Sequence, residues 1–332
     1  MMKRKKTIII LFSVAALVIL FFAPLVGMEK IPFNTIFNFD QSNIQGNIFW
    51  RIRIPRVLIA FISGSALAIS GMAFQAMFRN SLATPFTLGV SSGAAFGAAL
   101  YVKLGIIFSL FGIAGQSIAA FVGALLSIFL VYILSHLKKG FSVGTMLLAG
   151  VAINFFFSSF ILFIQFMSDF THSFQIMRWL MGGFEIIGYS EIYNILPFVL
   201  VGTIIIILLS TELNLLTLGE DIAISRGVSV SKVKNLLFVA TSLMISGVIS
   251  VVGPIGFVGM MVPHISRLII GSDHRYLVVL NIILGGTFLL LCDTLARILI
   301  APAEIPVGVI TALLGGPFFI WLLIKSQNSN TI

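Results

Sequence analysis

The charged side chains that could do chemistry in this sequence are few, and most lie at the ends of long apolar runs. Asp293 is the one acid clearly inside such a run, and Arg297 follows four positions later, where a helix places both on one face. An acid at membrane depth either pairs with a neighbouring base or carries protons along a transport path. The spacing favours a structural ion pair over a proton relay.

The histidines and the single cysteine predict neither a metal site nor a catalytic residue. His264 stands in MMVPHISRL without a second metal-type residue at helical spacing, which favours a hydrogen-bonded structural role over a ligand or proton-carrying role. His136, His172 and His274 lie at the ends of apolar runs and form no metal pattern. Cys292 lies inside an apolar run, where plain packing is expected.

The sequence also contains no site for a nucleotide. It has no G-x-x-x-x-G-K-[ST] motif and no Gly-Lys pair, so a phosphate-binding loop of the Walker type is excluded. If ATP and Mg²⁺ drive this protein, a partner must bind and hydrolyse them. We expect no cofactor in this chain.

The composition indicates an all-α membrane protein that crosses the bilayer many times. Of the 332 residues, 59% are hydrophobic and 9% are charged, and the mean hydropathy is +1.13. A water-soluble core could not bury so much apolar surface. The net charge of +9 resides at the ends of apolar runs, which indicates membrane topology and argues against nucleic acid. Residues 1–332 therefore form a single transmembrane domain.

Glycines, prolines and charges divide the chain into about ten apolar segments, each close to the roughly 20 residues that a span requires. The predicted spans are residues 7–27, 56–78, 86–104, 107–135, 143–167, 191–211, 234–252, 254–271, 276–297 and 305–325. Most basic residues fall on the side of the N-terminus, so the positive-inside rule predicts that both termini are cytoplasmic.

A polar segment from residue 212 to 234 interrupts the later spans and carries LTLGEDIAISRGVSVSK. Its polar residues alternate with the apolar residues Leu218, Ile222, Ile224 and Val228. This pattern is typical of a short amphipathic helix that is pressed against a partner at the membrane face. We call residues 212–234 the coupling loop and expect it to receive energy from outside the chain.

Two other segments and one glycine series indicate contacts rather than lipid anchoring. Residues 28–55 and 168–190 are too polar to span and are expected to be docking or interfacial elements on the outer face. Gly89, Gly93 and Gly97 recur every four residues and predict close helix packing; the alternative is a role in the transport path.

Three arginines stand on the outer face, which the positive-inside rule should keep poor in such charge: Arg51, Arg53 and Arg56. One interpretation is anchoring to lipid headgroups. The other is pairing with acidic residues of an external partner, because guanidinium groups bind carboxylates through two parallel hydrogen bonds. Arg297 would join them from the ninth span.

Long stretches of the chain resemble the FecCD-type permease family of bacterial ABC importers for iron-siderophores, haem and cobalamin. The resemblance rests on RIPRVLIAFISGSALAISGMAFQAMFRNSLATPFTLGVSSGAAFG (53–97), GPIGFVGMMVPHISRLIIGSDHR (253–275) and EIPVGVITALLGGPFFIWLL (304–323). It implies the type II ABC importer permease fold, with ten spans per subunit, in the bacterial inner membrane. It also implies a homodimer or a dimer with a paralogue, two cytoplasmic ATPase subunits and an extracellular or periplasmic substrate-binding protein.

The same resemblance implies roles for particular residues. Those expected to couple to the ATPase are Gly219, Glu220, Asp221, Ala223, Ser225, Arg226 and Gly227. Those expected to dock the binding protein are Arg53, Arg56 and Arg297. Those expected to form the cytoplasmic gate are Asn80, Leu82, Ser142 and Val143. Ser81 departs from the family, which usually has proline there.

The sequence therefore predicts the permease subunit of a binding-protein-dependent ABC importer, with ferric siderophore as the first substrate candidate and haem or cobalamin next. Its path should be wide and poor in fixed charge. The alternatives are an ion-coupled secondary transporter that acts without an ATPase, which needs Asp293 or His264 in the path, and an assembly or receptor subunit without transport.

Overall fold

A computed structural model describes residues 2–29, 31–32, 44–110, 112–136, 143–185 and 187–329, which form a helical bundle. The helices are α1 (Met2–Phe22), α2 (Ile44–Asn47), α3 (Ile54–Phe78), α4 (Val90–Leu104), α5 (Gly115–His136), α6 (Val143–Phe166), α7 (Phe170–Leu180), α8 (Ser190–Leu208), α9 (Ser210–Leu218), α10 (Glu220–Ser225), α11 (Val230–Val252), α12 (Val258–Ile270), α13 (His274–Ile298) and α14 (Val307–Ser329). Shorter turns are a 3₁₀ turn at Ala23–Leu25, a π-helical turn at Ile48–Arg53, and a 3₁₀ turn at Pro85–Leu88. A small antiparallel hairpin pairs β1 (Ser109–Leu110) with β2 (Ile113–Ala114).

Seven of the described helices are long and apolar enough to cross a membrane, and three shorter apolar helices bring the set to ten. Each predicted span has one of these helices as its counterpart, so the prediction of about ten spans is confirmed. Two of the shorter helices, α4 and α12, begin about four residues after the predicted start of their spans because of the local backbone conformation. Gly89 adopts a φ of +82° before α4, and Phe257 adopts a φ of +68° before α12, and neither conformation continues a helix.

The coupling loop contains more helix than the sequence predicted. Both α9 and α10 lie within or overlap residues 212–234, and α11 already begins at Val230. Gly219 separates the two short helices with a φ of +135°, which a residue with a side chain rarely adopts. The segment is therefore a pair of short helices with a glycine joint rather than a loop with one helix.

The core of the bundle lies around α3 and α11. In the membrane-length windows of these two helices 83% and 72% of the residues are buried, against 17% for α1. Glycines allow the backbones to touch. A Cβ at Gly64 on α3 would lie 2.2 Å from the carbonyl oxygen of Gly285 on α13, and one at Gly71 would lie 1.8 Å from that of Gly259 on α12. These helices are fixed against one another at backbone distance.

All three positions of the predicted glycine series lie in close contact with α5. A Cβ at Gly93 would lie 2.4 Å from the carbonyl oxygen of Gly123, and one at Gly97 would lie 2.0 Å from that of Ala119, both on α5. Gly89 is the N-cap of α4, and a Cβ there would lie 2.8 Å from the hydroxyl oxygen of Ser127 on α5. The close contact of α4 with α5 is thus built into the sequence.

We call the end of the bundle at which α1 begins the N-side, and the opposite end the far side. On the N-side, Lys5 of α1 lies 5.2 Å from the ring centre of Tyr276 at the start of α13. On the far side, the hydroxyl of Tyr189 donates to the backbone carbonyl of Trp50. The short helix α7 begins after Asp169, whose side chain accepts from the backbone N–H of His172 at 2.8 Å.

Candidate functional sites at the two ends of the bundle

A buried ion network joins α3 and α13 on the far side. The Nε of Arg56 donates to Asp293 at 3.0 Å, and its Nη1 donates to Glu304 at 2.8 Å. Arg297 approaches the other oxygen of Asp293 at 3.2 Å, as a charge contact without hydrogen-bond geometry. The predicted structural ion pair is confirmed. The Asp293 side chain is 0% exposed and lies between two arginines, so its carboxylate is engaged within the chain.

Arg53 and Arg297 also fix the end of α1. Arg53 donates through Nη1 to the carbonyls of Pro24 at 3.1 Å and Leu25 at 3.3 Å, and Arg297 donates to that of Val26 at 3.1 Å. A Cβ at Gly27 would lie 2.7 Å from a nitrogen of Arg53, so a larger residue there would require the guanidinium to shift. The turn after α1, a helix with little other burial, is thereby tied to α3 and α13.

The predicted docking arginines thus lie below the surface rather than on it. Arg53, Arg56 and Arg297 are 6%, 9% and 5% exposed. Headgroup anchoring and partner docking do not account for these contacts, because each guanidinium is already engaged within the chain. On the surface around them, Arg51 is exposed and the side chain of Glu304 is 53% exposed. Docking through the three buried arginines stays a prediction.

The predicted coupling residues divide into an exposed group and an anchoring group. Asp221, Ser225 and Arg226 are exposed, whereas Ala223 is 0% exposed and packs into the core. Glu220 accepts a 2.6 Å hydrogen bond from Lys234, which is 1% exposed at the start of α11. The exposed group is therefore available to another molecule, while the anchoring group fixes α10 to the bundle.

Apolar side chains lie beside the exposed polar ones. Leu218 is 62% exposed, Ile222 is 45% and Ile224 is 59%, although the helices around them are short and polar. Val228, the fourth apolar residue of the predicted pattern, packs against the core. The amphipathic surface that the sequence predicted is present, with Val228 turned inward.

The helix before α10 is attached to the bundle through Asn214. Its side-chain nitrogen donates to Asp273 at 3.1 Å, and its oxygen accepts from the backbone N–H of His274 at 2.8 Å. Hydrogen bonds from the Arg275 guanidinium and from Asn214 hold the pKa of Asp273 well below its usual range, so this carboxylate stays ionised. Through these contacts α9 is joined to the first turn of α13, as α10 is joined to α11.

The structure describes three of the four predicted gate residues. The side-chain oxygen of Asn80 accepts from the backbone N–H of Leu82 at 2.9 Å, which closes a tight turn after α3. Leu82 is 53% exposed at the tip of that turn. Ser142 lies outside the described residues, and Val143 is the first residue of α6. The gate role of these four residues stays a prediction.

A cavity that the sequence did not reveal lies near the middle of the bundle. Its volume is about 280 Å³, and its wall combines apolar side chains with a few polar ones: Leu67, Thr84, Pro85, Phe86, Thr87, Asn154, Ile245, Gly256, Phe257, Gly259 and Met260. The side-chain nitrogen of Asn154 donates to the carbonyl of Phe86 at 3.2 Å. The left-handed backbone before α12 places the ring of Phe257 at this wall, which no local sequence pattern predicts.

A membrane-crossing bundle with an exposed amphipathic surface at one end defines a multi-pass membrane protein. The model of the FecCD transport family matches residues 15–325. The chain therefore belongs to the FecCD transport family.

Known relatives agree with this membership. The chain is 37% identical over 306 residues to the hemin transport system permease protein HmuU of Yersinia pestis, covering 92% of this chain and 91% of that protein. It is 40% identical over 294 residues to the vitamin B12 import system permease protein BtuC of Salmonella agona, covering 86% and 87%. A solved structure of a metal-chelate type ABC transporter in an inward-facing conformation superimposes with a TM-score of 0.85, at 30% identity, over 96% of this chain and 99% of that one.

Proposed function

We propose that this chain is the membrane subunit of a binding-protein-dependent ABC importer, and that the surface of α9 and α10 is where a cytoplasmic ATPase docks. The observation that carries the proposal is the exposure of Leu218, Ile222 and Ile224 on an anchored pair of short helices. Exposed apolar side chains flanked by charges are typical of an interface core with a polar rim. Asp221 and Arg226 supply that rim.

The anchoring contacts explain how docking could move the bundle. When two ATPase subunits close around ATP and Mg²⁺, a displacement of α10 passes to α11 through the Lys234–Glu220 ion pair. A displacement of α9 passes to α13 through Asn214 and Asp273. Both α11 and α13 pack in the core, so the motion reaches the middle of the membrane as a change between two packed arrangements. The chain itself neither forms nor breaks a covalent bond.

A second subunit is part of the proposal. Large apolar side chains on α6 and α14 face outward, among them Phe155 and Phe166 at 71% and 89% exposure and Ile320 at 61%. In a homodimer such surfaces could pair and enclose a path between the subunits. We place both termini on the cytoplasmic side of the bacterial inner membrane. The N-side gate would consist of Asn80, Leu82, Ser142 and Val143.

On the far side, we propose that a substrate-binding protein docks above the buried ion network. Glu304 covers Arg56 with a half-exposed carboxylate. An acidic side chain of the binding protein could take the place of Glu304 on the outward nitrogen of Arg56, because both offer the same carboxylate geometry. Arg53 and Arg297 would keep the platform rigid.

The transported molecule is proposed to be a ferric siderophore, with haem or cobalamin next. The names of the relatives support this class of bulky metal complexes. Uptake of ferric siderophores, haemin and cobalamin by cells that depend on the complete transporter tests the choice. Uptake of one of the three that requires ATP and this chain would identify the substrate.

The docking surface is tested by placing a charge in its apolar part. Ile222→Asp should abolish co-purification of the co-expressed ATPase, while the amount of protein in the membrane stays unchanged. The matched control is Ile187→Asp, which changes an equally apolar side chain that is 75% exposed on the far side. Equal ATPase binding by both variants would contradict the assignment.

A further inference from the structure

Arg267, near the N-side end of α12, is a half-buried cation without an anionic partner among the described residues. No described carboxylate lies within 4.0 Å of its nitrogens. Its Nη2 donates to the side-chain oxygen of Gln75 on α3, a neutral group that is 4% exposed. A guanidinium carries five donor hydrogens, so most of its capacity for hydrogen bonds is left for another molecule.

The three arginines that the structure describes as buried have fuller sets of partners than the half-buried Arg267. Arg56 and Arg297 share Asp293, and Arg53 donates to three backbone carbonyls. Removing a cation from water is costly unless acceptors or anions replace the water. The incomplete set at Arg267 therefore indicates a position where an anion from outside the chain would be stabilised.

Gln75 connects this guanidinium to the cavity. Its side-chain nitrogen donates to the carbonyls of Met260 at 3.3 Å and Gly259 at 3.4 Å, and both residues line the cavity. Arg267 lies two turns further along the same helix, and long helical side chains point back toward the helix N-terminus. The guanidinium is thus one amide side chain away from the cavity wall.

The face of α12 between the cavity and the Arg267 guanidinium changes from apolar to charged. Met260, His264 and Arg267 recur at helical spacing, and all three are partly exposed. The imidazole of His264 lies edge to face with the ring of Phe318 on α14, with 5.9 Å between ring centres. A molecule that follows this face meets apolar side chains first, then an imidazole, and then a cation.

An apolar cavity beside a guanidinium fits a molecule that has an apolar body and a carboxylate or similar oxyanion group. We propose that Arg267, oriented by Gln75, binds an anionic group of the transported molecule while an apolar part of that molecule enters the cavity. This inference rests on the transport role proposed above, since it assigns the cavity to the transport path. It also departs from the expectation of a path poor in fixed charge.

The test uses two probes that differ only in their free carboxylates: iron protoporphyrin IX and its dimethyl ester. The full-length chain is placed in nanodiscs of zwitterionic lipid, without an ATPase, and titrated by absorbance. The wild-type chain should bind the free acid about tenfold more tightly than the ester, as expected for one charge-assisted contact. This comparison needs no mutation and therefore does not depend on the folding of a variant.

Variants assign the preference to Arg267. Arg267→Gln should remove it, Arg267→Lys should keep part of it, and Gln75→Glu should lower it by placing an internal carboxylate on the guanidinium. Arg4→Gln, at an exposed arginine of α1, is the matched control and should leave the preference unchanged.

Three results would overturn the inference. They are equal affinity of the wild-type chain for both probes, a preference that survives in Arg267→Gln, and loss of the wild-type preference when the nanodiscs contain phosphatidylglycerol. The last result would identify a site for lipid headgroups. Failure of ATPase docking, with the preference for the free acid intact, would count against the coupling proposal alone.

Discussion

The buried ion network on the far side and the exposed surface of α10 on the N-side differ in how their charged residues are paired. On the far side, Arg56, Arg297 and Asp293 complete one another, and the acid between them is 0% exposed. On the N-side, Asp221 and Arg226 are exposed without being part of such a network. Charges whose partners lie within the chain hold the fold, whereas charges left open at an amphipathic surface are available to another molecule.

The difference also explains which functional assignments the structure supports. The family resemblance assigns a docking role to arginines on the far side and a coupling role to residues on the N-side, and it gives no reason to prefer one assignment over the other. The contacts distinguish the two groups, because Arg53, Arg56 and Arg297 are engaged within the chain while the surface around Ile222 is open. The far-side arginines therefore contribute first to stability, and any docking role follows from that.

The largest effect is expected from Asp293→Asn, which leaves Arg56 and Arg297 buried without their shared anion. Removing one partner of a buried ion pair costs about 3–5 kcal/mol. The apparent melting temperature in nanodiscs should fall sharply, and the amount of protein in the membrane should fall with it. A melting temperature equal to that of the wild type would show that the network contributes little to the fold.

Asp221→Arg should change partner binding rather than stability. Reversing one charge at the rim of an interface is expected to weaken ATPase docking about tenfold and to alter its dependence on salt. Docking can be measured by titrating the purified ATPase onto the chain in nanodiscs. Glu185→Arg, a charge reversal at a 68% exposed side chain on the far side, is the control. If both variants dock alike, Asp221 is not part of the interface.

Lys234→Met should loosen the anchoring of α10 without unfolding the bundle. Because Glu220 is 48% exposed, the ion pair is screened, and we expect a loss of about 1 kcal/mol in the local opening free energy. Amide hydrogen exchange in residues 219–229 should become about fivefold faster, while exchange in α3 stays unchanged. Unaltered exchange in this part of the coupling loop would contradict the proposed connection of α10 to α11 through the Lys234–Glu220 ion pair.

Glu304→Gln should have the smallest effect on stability, below about 1 kcal/mol, because the half-exposed Glu304 carboxylate is screened by solvent in its pair with Arg56. Its effect on docking of the binding protein should be a gain in affinity. With the internal carboxylate gone, an acidic partner has freer access to Arg56, and the affinity of the binding protein should rise. A lower affinity would mean that Glu304 itself takes part in docking.

Much of the fold can be predicted from the sequence because it depends on local properties. Long apolar runs become the spans, and Gly93 and Gly97 recur at the spacing that brings α4 against α5. The spacing of Asp293 and Arg297 is enough to predict their contact. These features require no knowledge of distant parts of the chain.

Other features depend on residues that are far apart in the sequence. Arg56 meets Asp293 across 237 positions, and Arg267 meets Gln75 across 192 positions, so neither contact leaves a local pattern. The cavity arises where α3, α6, α11 and α12 approach one another, and the left-handed backbone at Phe257 shapes its wall. The burial of the far-side arginines is likewise a tertiary result, since short polar segments look exposed in sequence.

A cross-linking measurement most directly tests whether an ATPase docks on the surface of α9 and α10. The single native cysteine, Cys292, is 1% exposed and should not react with a surface reagent. Ser225→Cys on α10 and Ser190→Cys at the far-side end of α8 would each be joined, through a short amine-to-thiol reagent, to a co-expressed ATPase. We predict a cross-link from position 225 and none from position 190. A cross-link from position 190, or none from position 225 while the ATPase co-purifies, would contradict docking at α10.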